Sequence, residues 1–246
     1  MQNLILDFGN TLFKAAVFEQ GNLVHKFSGS KLFTNKLIEV KKEFPQIKKA
    51  IFSSVVMLDE DLIHFLKNNF DCFELTSETK IPLINQYKTP NTLGKDRLAA
   101  VIGAFELFPK RDILVIDAGS SITYDILTRH SEYLGGGISP GITMRFRALH
   151  QFTDKLPLVK PLDFNINLIG TDTQESILSG VINGVKAEID GIIDQYKKIY
   201  PEIIVLFTGG DLKHFDKNLK NNIFAAENLV LHGLNFILNY NDNKTV

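Results

Sequence analysis

The chain has 246 residues, of which 44% are hydrophobic and 22% charged, and its formal net charge at pH 7 is -1. This composition is typical of a folded protein of one or two domains and excludes intrinsic disorder. Because basic and acidic residues nearly balance, no overall positive field is available to attract nucleic acid or an anionic membrane. A small or neutral partner is therefore expected.

We expect no export signal, because no basic segment followed by an apolar run opens the sequence. It also lacks any apolar stretch of about 18 residues, the length that a helix needs to cross a bilayer. The single cysteine, Cys72, cannot form an internal disulfide and suggests no zinc site. These features predict a protein of the reducing cytoplasm.

The hydrophobic pattern predicts alternating helices and strands. Helical periodicity predicts helices at residues 31–44, 59–70, 95–108, 143–150 and 173–200, and apolar runs predict strands at 50–57 and 203–208. Weak periodicity and two prolines predict a surface loop at 76–92, and polar residues predict a frayed tail at 239–246. The alternation indicates an α/β protein whose sheets are flanked by helices.

An internal repeat organises this pattern. Residues 4–17 align without gaps on residues 114–127, at a constant offset of 110. Each copy has an apolar strand, an Asp-x-Gly turn with hydroxyl or amide residues, and a second strand, and a third apolar stretch follows. Each half therefore opens with three consecutive strands, which makes its sheet mixed. We predict lobes at 1–110 and 111–246 that enclose a cleft.

The turn of the first copy reads Asp7-Phe8-Gly9-Asn10-Thr11. Gly9 allows close approach of the backbone to an anion, Asn10 and Thr11 can donate to phosphate, and a carboxylate such as Asp7 suits Mg²⁺. A type I′ hairpin turn explains the first copy alone about as well. The second copy, with Asp117, Gly119, Ser120 and Ser121, favours two phosphate loops.

The segment Gly94-Lys95-Asp96-Arg97 opens a predicted helix. An aspartate at this position is most often a helix cap, and this interpretation is favoured on local grounds. Asp96 can also serve as a base, with Arg97 as a fork for a substrate carboxylate. The upstream loop that carries Tyr87 would then act as a lid.

Two glycine-rich segments remain. In Thr208-Gly209-Gly210-Asp211, the glycine pair either provides a flat surface for an aromatic ring or forms an ordinary strand-to-helix turn, and the sequence favours neither. The run Gly135–Gly141 predicts a close-packed bend or hinge between a strand and a helix. No P-loop motif occurs.

The long predicted helix begins with a capping box formed by Asp172 and Glu175. Ser176, Gly180 and Gly184 follow at intervals of four residues and form a column of small residues along the helix. Packing within the chain explains this column as readily as a dimer interface does. The six histidines show no ligand spacing, and we expect Cys72 to belong to the core.

The duplicated Asp-x-Gly turns resemble those of the superfamily of actin, hexokinase and acetate kinase, and the order of the motifs resembles the type III pantothenate kinase family. The resemblance covers nearly the whole chain and implies two ribonuclease H-like lobes, the duplicated actin-like ATPase fold. The motifs that carry it are Asp7-x-Gly9-Asn10-Thr11, Gly94-x-Asp96-Arg97, Asp117-x-Gly119-Ser120, Gly136-Gly137-Ile138-Ser139-Pro140-Gly141, Gly170-x-x-Thr173 with Ser176, and Thr208-Gly209-Gly210-Asp211.

The resemblance implies ATP-dependent phosphorylation of pantothenate to 4′-phosphopantothenate, the first step of coenzyme A biosynthesis, by a homodimer with Mg²⁺ and a monovalent cation, K⁺ or NH₄⁺. A non-catalytic ATP-binding regulator of the same superfamily is the alternative, and loss of Asp96 would be its simplest signature. Sugar kinases of the superfamily are generally longer, and many carry a cysteine-rich zinc element that this sequence lacks.

The resemblance also implies roles for individual residues. Asp96 is the proton acceptor, and Asp117 binds the monovalent cation. Ser120 stands where the family usually has threonine, so a hydroxyl is retained. The residues implied in binding pantothenate are Tyr87, Gly94, Lys95, Asp96, Arg97 and Thr173, and those implied in binding ATP are Asp7, Phe8, Gly9, Asn10, Thr11, Leu12, Phe13, Lys14, Ser120, Gly209 and Gly210.

Overall fold

The computed structural model describes residues 2–161, 164–215 and 219–242. In chain order, the strands are β1 (Gln2–Phe8), β2 (Phe13–Glu19), β3 (Asn22–Gly29), β4 (Ile47–Ser54), β5 (Asp71–Glu74), β6 (Ile84–Asn85), β7 (Ile113–Ala118), β8 (Ser121–Leu127), β9 (Glu132–Pro140), β10 (Ile204–Thr208) and β11 (Phe224–Ala225). The helices are α1 (Thr34–Glu43), α2 (Glu60–Asn69), α3 (Lys95–Leu107), α4 (Ile142–Gln151), α5 (Thr173–Ile199), α6 (Leu212–Phe215) and α7 (Leu229–Asp242).

The chain forms two compact units. The first comprises the residues up to Lys110, the segment His130–Leu134 and the residues from Asn228 onward, and the second comprises Arg111–Arg129 and Gly135–Glu227. Both units combine a mixed sheet with flanking helices, so the predicted fold class is confirmed. The predicted lobe 111–246 differs from the second unit because α7 packs against α3 of the first.

The sheet of the first unit has the order β3-β2-β1-β4-β5. Strand β1 is buried at every position, as expected for an apolar strand with a neighbour on each side. It pairs antiparallel with β2 and parallel with β4, and in this register Asp7 lies opposite Lys14 and Ser53. The pairing brings the end of β1 together with the end of β4.

Helices α3 and α7 of the first unit approach each other at the level of their backbones. A Cβ atom at Gly103 would lie 2.5 Å from the carbonyl oxygen of Leu229, and one at Gly233 would collide with the carbonyl group of Ala99. Helix α7 is not among the helices predicted from the sequence, and residues 239–246 are predicted to be a frayed tail. The structure continues the helix to Asp242, and residues 243–246 lie outside the described residues.

The second unit repeats the architecture of the first. Strands β7, β8 and β9 lie side by side in one sheet, and β10 joins β7 in parallel on its other side. The apolar side of this sheet packs with α5, which contributes Ile182, Val185 and Ile189 to the core. The strand arrangement matches that of β1, β2 and β3, as the repeat in the sequence predicts.

The glycine run before α4 does not form the predicted bend or hinge. Gly135, Gly136 and Gly137 lie inside β9. A Cβ atom at Gly136 would collide with the carbonyl oxygen of Tyr124 on the neighbouring strand, so the glycine allows the two strands to approach closely. The close packing that the run predicts is therefore present, but within a strand.

Among the residues that the structure describes, none of the helices combines the length and apolarity needed to span a bilayer.

Candidate active site

Residues 9–12 form the loop between β1 and β2 in the first unit. Phe8 pairs with Phe13 at its base, and the amide of Gly9 donates to the carbonyl oxygen of Leu12 at 3.2 Å. A type I′ turn requires positive φ at its two central residues, and no residue of this loop has one. The type I′ alternative is therefore wrong. The loop leaves Asn10 and Thr11 exposed next to the buried end of β1.

The carboxylate of Asp7 is buried at the base of this loop. Its oxygen Oδ1 accepts a hydrogen bond of 2.8 Å from the Ser53 hydroxyl on β4. Burial raises the pKa of Asp7; the Ser53 hydrogen bond and the charge of Lys14 oppose this, and the charge of Asp96 adds to it. The charge of Asp96 therefore acts on the Asp7 carboxylate within the first unit. Sequence reasoning missed Ser53, because only the pairing of β1 with β4 reveals it.

The second segment of the first unit, residues 94–97, opens α3. Its N-cap is Gly94, which makes no side-chain cap bond, and the carboxylate of Asp96 accepts from the amide of Arg97 at 2.8 Å. The locally favoured interpretation of Asp96 as a helix cap is therefore confirmed in part, because Gly94 occupies the N-cap position but the Asp96 carboxylate pairs with an amide of the first turn. A Cβ atom at Gly94 would lie 2.6 Å from Oδ1 of Asp96, so the glycine leaves room for this side chain.

Arg97 and Tyr87 are in contact. The guanidinium carbon of Arg97 lies 5.6 Å from the centroid of the Tyr87 ring, within the range of a cation–π interaction. Arg97 is only 5% exposed, although it is charged. The surface loop predicted at 76–92 contains β6 and a short 3₁₀ turn at Pro90–Thr92, and it brings Tyr87 to the start of α3.

The corresponding loop of the second unit follows β7. Asp117 pairs with Thr208 of β10, and Gly209 comes next with a φ of +101°. A Cβ atom at Gly209 would lie 2.5 Å from Oδ1 of Asp117 and would collide with the carbonyl oxygen of Ala118, so only glycine fits there. The ends of β7 and β10 therefore bring Asp117 and the glycine pair together.

The two glycines of this pair have different surroundings. The tight turn requires a glycine at position 209, which agrees with the interpretation of the pair as a strand-to-helix turn. No described atom lies within 4 Å of a Cβ atom at Gly210, so the backbone there has open space on one side. Ser120 is exposed, and its carbonyl oxygen accepts from the amide of Gly141 at 3.2 Å. The end of β9 therefore supports the second loop.

A polar network that sequence reasoning missed fixes this end of β9. Arg145 on α4 donates to the carbonyl oxygen of Pro140 at 2.8 Å, to the hydroxyl of Ser139 at 2.9 Å and to the carboxylate of Glu188 at 2.5 Å. The Tyr124 hydroxyl donates to the same carboxylate at 3.0 Å. Burial alone would raise the pKa of Glu188, but these hydrogen bonds lower it. The network ties β9 to α4 and α5.

Thr173 is exposed at the first residue of α5. The predicted capping box is confirmed in part: Asp172 accepts from the amide of Glu175 at 2.8 Å, but the Glu175 carboxylate accepts from Thr171 and not from Asp172. Thr173 lines a cavity of about 930 Å³ between α4 and α5, together with Arg145. Within the chain, this threonine is on a different element from the two loops.

The two glycines of the small-residue column on α5 are uncovered. Ser176, Gly180 and Gly184 are exposed. Apart from the helix itself, no atom of the described chain comes within 4 Å of a Cβ atom at either glycine. Ser176 packs against Gly170, to whose carbonyl oxygen its hydroxyl donates at 3.4 Å, so packing within the described chain explains this residue but neither glycine.

The fold is shared with kinases of known structure. A putative N-acetylmannosamine kinase from Listeria monocytogenes superposes with a TM-score of 0.55 at 12% sequence identity, covering 99% of this chain and 100% of the other. A structure described as a conserved putative Baf family transcriptional activator from Campylobacter jejuni reaches a TM-score of 0.60 at 25% identity, covering 98% and 99%. The chain thus has the duplicated ATPase fold of the actin and hexokinase class.

The sequence comparisons define the family. The model of the type III pantothenate kinase family matches residues 3–195. A type III pantothenate kinase from Christiangramia forsetii is 46% identical over 244 residues, which cover 98% of this chain and 100% of that protein. The chain belongs to the type III pantothenate kinase family and is an enzyme, a kinase.

Proposed function

We propose that this chain transfers a phosphoryl group from ATP to the primary hydroxyl of pantothenate, which forms 4′-phosphopantothenate and begins coenzyme A biosynthesis. Membership of the family is the observation that carries this proposal. The structure supports it, because the charge of Asp96 acts on Asp7 at the base of the loop after β1. Asp96, whose loss would be the simplest sign of a non-catalytic relative, is present.

Asp96 is the proton acceptor in this proposal. Phosphoryl transfer depends on in-line positioning and on neutralisation of charge more than on covalent chemistry. The hydroxyl is a poor acid, so the carboxylate accepts its proton late, as the bond to phosphorus forms. Gly94, Lys95 and Arg97 surround Asp96 at the start of α3, where Arg97 and Tyr87 bind the substrate and the guanidinium pairs with its carboxylate.

The two loops bind ATP. Residues Asp7 to Lys14 form the first phosphate loop, in which Asn10, Thr11 and the amides around them donate to the phosphates. Ser120 of the other loop contacts ATP, and the open backbone at Gly210, next to Gly209, accommodates the adenosine. Mg²⁺ fits the first loop, because it takes one or two carboxylates and keeps several waters, and Asp7 offers a carboxylate at the base of this loop. Bound Mg²⁺ neutralises the charge of the phosphates.

Asp117 binds a monovalent cation in this proposal, and we expect turnover to depend on K⁺ or NH₄⁺. Its carboxylate lies beside the tight turn at Gly209, which supports a site for an ion of defined radius. Turnover should fall when Na⁺ replaces K⁺ at matched ionic strength. Equal rates in the two salts, with protein freed of carried-over K⁺, would remove Asp117 from this role.

The active form is a homodimer in this proposal, and the partner supplies Thr173 to the pantothenate pocket. The uncovered face of α5 around Gly180 supports this assembly. Leu168 and Ile169, which lead into the same helix, are 79% and 77% exposed, as expected of apolar residues that a second copy covers.

A coupled assay of ADP release tests the proposed reaction. Purified protein with ATP and Mg²⁺ is given pantothenate, glucose, acetate or no acceptor. We expect ADP release above the background only with pantothenate. Release with glucose or acetate but not with pantothenate would overturn the assignment, and so would the absence of release above background with every acceptor.

A further inference from the structure

The loop that carries Tyr87 is attached to the start of β9. The amide of Ile84 donates to the carbonyl oxygen of Ser131 at 2.9 Å, and the amide of Gln86 donates to that of Tyr133 at 2.9 Å. These bonds lie on either side of the parallel bridge between β6 and β9. The residues directly before Tyr87 are therefore held by the backbone of the first unit.

Three side chains extend this attachment as a stack. The fully buried ring of Tyr133 lies 6.2 Å from the ring of Tyr87, measured between centroids, with 12° between the ring planes. The guanidinium carbon of Arg97 lies 5.6 Å from the centroid of the same Tyr87 ring. Offset stacking and a cation near an aromatic face are both attractive arrangements. Tyr133 therefore acts on Arg97 through Tyr87.

The stack matters for Arg97 because the binding of a carboxylate depends on the orientation of the guanidinium group. A guanidinium recognises a carboxylate through two parallel hydrogen bonds, so its plane must be oriented before the substrate arrives. An arginine side chain has several rotatable bonds, and fixing them on binding costs conformational entropy. A ring that fixes the guanidinium in the free enzyme removes part of this cost.

We propose that Tyr133 is a positioning residue for substrate recognition: by holding Tyr87 in the stack, its ring fixes Arg97 and so makes the enzyme selective for acceptor alcohols that carry a carboxylate. This inference rests on the proposed function. The proposed role belongs to the ring of Tyr133 and not to its hydroxyl, since only the ring enters the stack with Tyr87.

The test compares pantothenate with pantothenol, the neutral analogue in which a hydroxyl replaces the carboxylate. For Tyr133→Leu we expect kcat/KM for pantothenate to fall about tenfold, which corresponds to about 1.4 kcal/mol, through a higher KM. The kcat/KM for pantothenol and the KM for ATP should stay near those of the wild type. Tyr133→Phe keeps the ring and should keep the preference for pantothenate.

Two further measurements separate positioning from a structural effect. Tyr133→Leu in the background of Tyr87→Leu should cause little additional loss of kcat/KM for pantothenate, because the ring that connects Tyr133 to Arg97 is already absent. Phe18→Leu removes another buried ring of the first unit and should leave the ratio of the two substrates unchanged. If Tyr133→Leu does not fold, Tyr133→Met keeps more of the buried volume and replaces it.

Equal losses for pantothenate and pantothenol in Tyr133→Leu, or an unchanged ratio in a folded variant, would overturn the role of Tyr133. An additive effect in the double variant would also overturn it. The proposed function fails separately, if the wild-type enzyme phosphorylates neither pantothenate nor pantothenol.

Discussion

At the scale of single residues, the environment of Asp96 distinguishes it from an ordinary carboxylate at the start of a helix. Its side chain accepts from the amide of Arg97, while Gly94 takes the N-cap position without a side-chain bond. This contact at the helix start could be inferred from local sequence, but the effect of the Asp96 charge on Asp7 could not, because it depends on how the end of β1 lies with respect to α3. Local sequence alone therefore favours the structural interpretation of Asp96.

Asp96→Asn should retain the fold and ATP binding but lose most of its turnover. Asparagine keeps the shape of the side chain but cannot accept the proton, and loss of a general base typically costs about 10² to 10⁴-fold. Steady-state kinetics with pantothenate measures kcat, and a nucleotide-binding titration is the control. A kcat within a factor of about two of the wild type would contradict the assignment.

Asp7→Asn should stabilise the protein at pH 7 in the absence of nucleotide and Mg²⁺. Burial raises the pKa of Asp7 in the folded state, so the ionised carboxylate costs stability. This cost is absent below the ordinary pKa of aspartate, about 3.9, and develops as the pH rises through the raised value. The Tm difference between variant and wild type should therefore grow from pH 4 to pH 7.

The matched control is Asp71→Asn, which removes an exposed carboxylate from β5 of the same unit. This variant should show no comparable gain. A lower Tm for Asp7→Asn than for the wild type at pH 7, in a folded protein, would contradict the prediction.

At the scale of elements, local sequence located most helices but missed α7. Helices α3 and α5 begin at the predicted residues, Lys95 and Thr173, although α3 is buried at every residue from Arg97 to Ala104. Helix α7 has no acidic residue in its first turn and no basic residue in its last turn, so the charge signals that mark the ends of a helix are absent. The short strands β6 and β11 are defined by partners distant in sequence.

The glycine run illustrates the same limit. It predicts close packing, but glycine alone does not distinguish a bend from a strand whose neighbour approaches closely. In β9 the crowded neighbour is the backbone of Tyr124.

Gly136→Ala should destabilise the protein by roughly 1 to 3 kcal/mol, because the new Cβ atom collides with the carbonyl group of Tyr124 and the strands must shift. Gly137→Ala is the matched control, since its Cβ atom would lie 3.6 Å from a ring carbon of Tyr124, an ordinary contact. Denaturant unfolding measures both variants. Equal stability of the two proteins would show that β9 tolerates the displacement.

At the scale of the whole molecule, the proposed dimer predicts complementation. If the pocket joins Asp96 of one subunit to Thr173 of its partner, an Asp96→Asn chain and a Thr173→Tyr chain are each nearly inactive alone. In a mixed dimer with C2 symmetry, both changes fall into one pocket and leave the other intact. Random exchange should therefore restore about a quarter of the wild-type activity.

Subunit exchange has to be demonstrated independently, for example by two affinity tags that purify together. If exchange occurs and activity stays at the level of the separate variants, Thr173 and Asp96 do not act in one pocket across subunits.

The discontinuous first unit also constrains synthesis on the ribosome. Its sheet is complete by β5, but α3 lies against α7, whose residues are translated after the entire second unit. Until α7 emerges, the close-packed face of α3 around Gly103 lacks its partner. All residues of the second unit are translated before α7, so its packing can form during synthesis, whereas the packing of the first unit is completed only when α7 emerges.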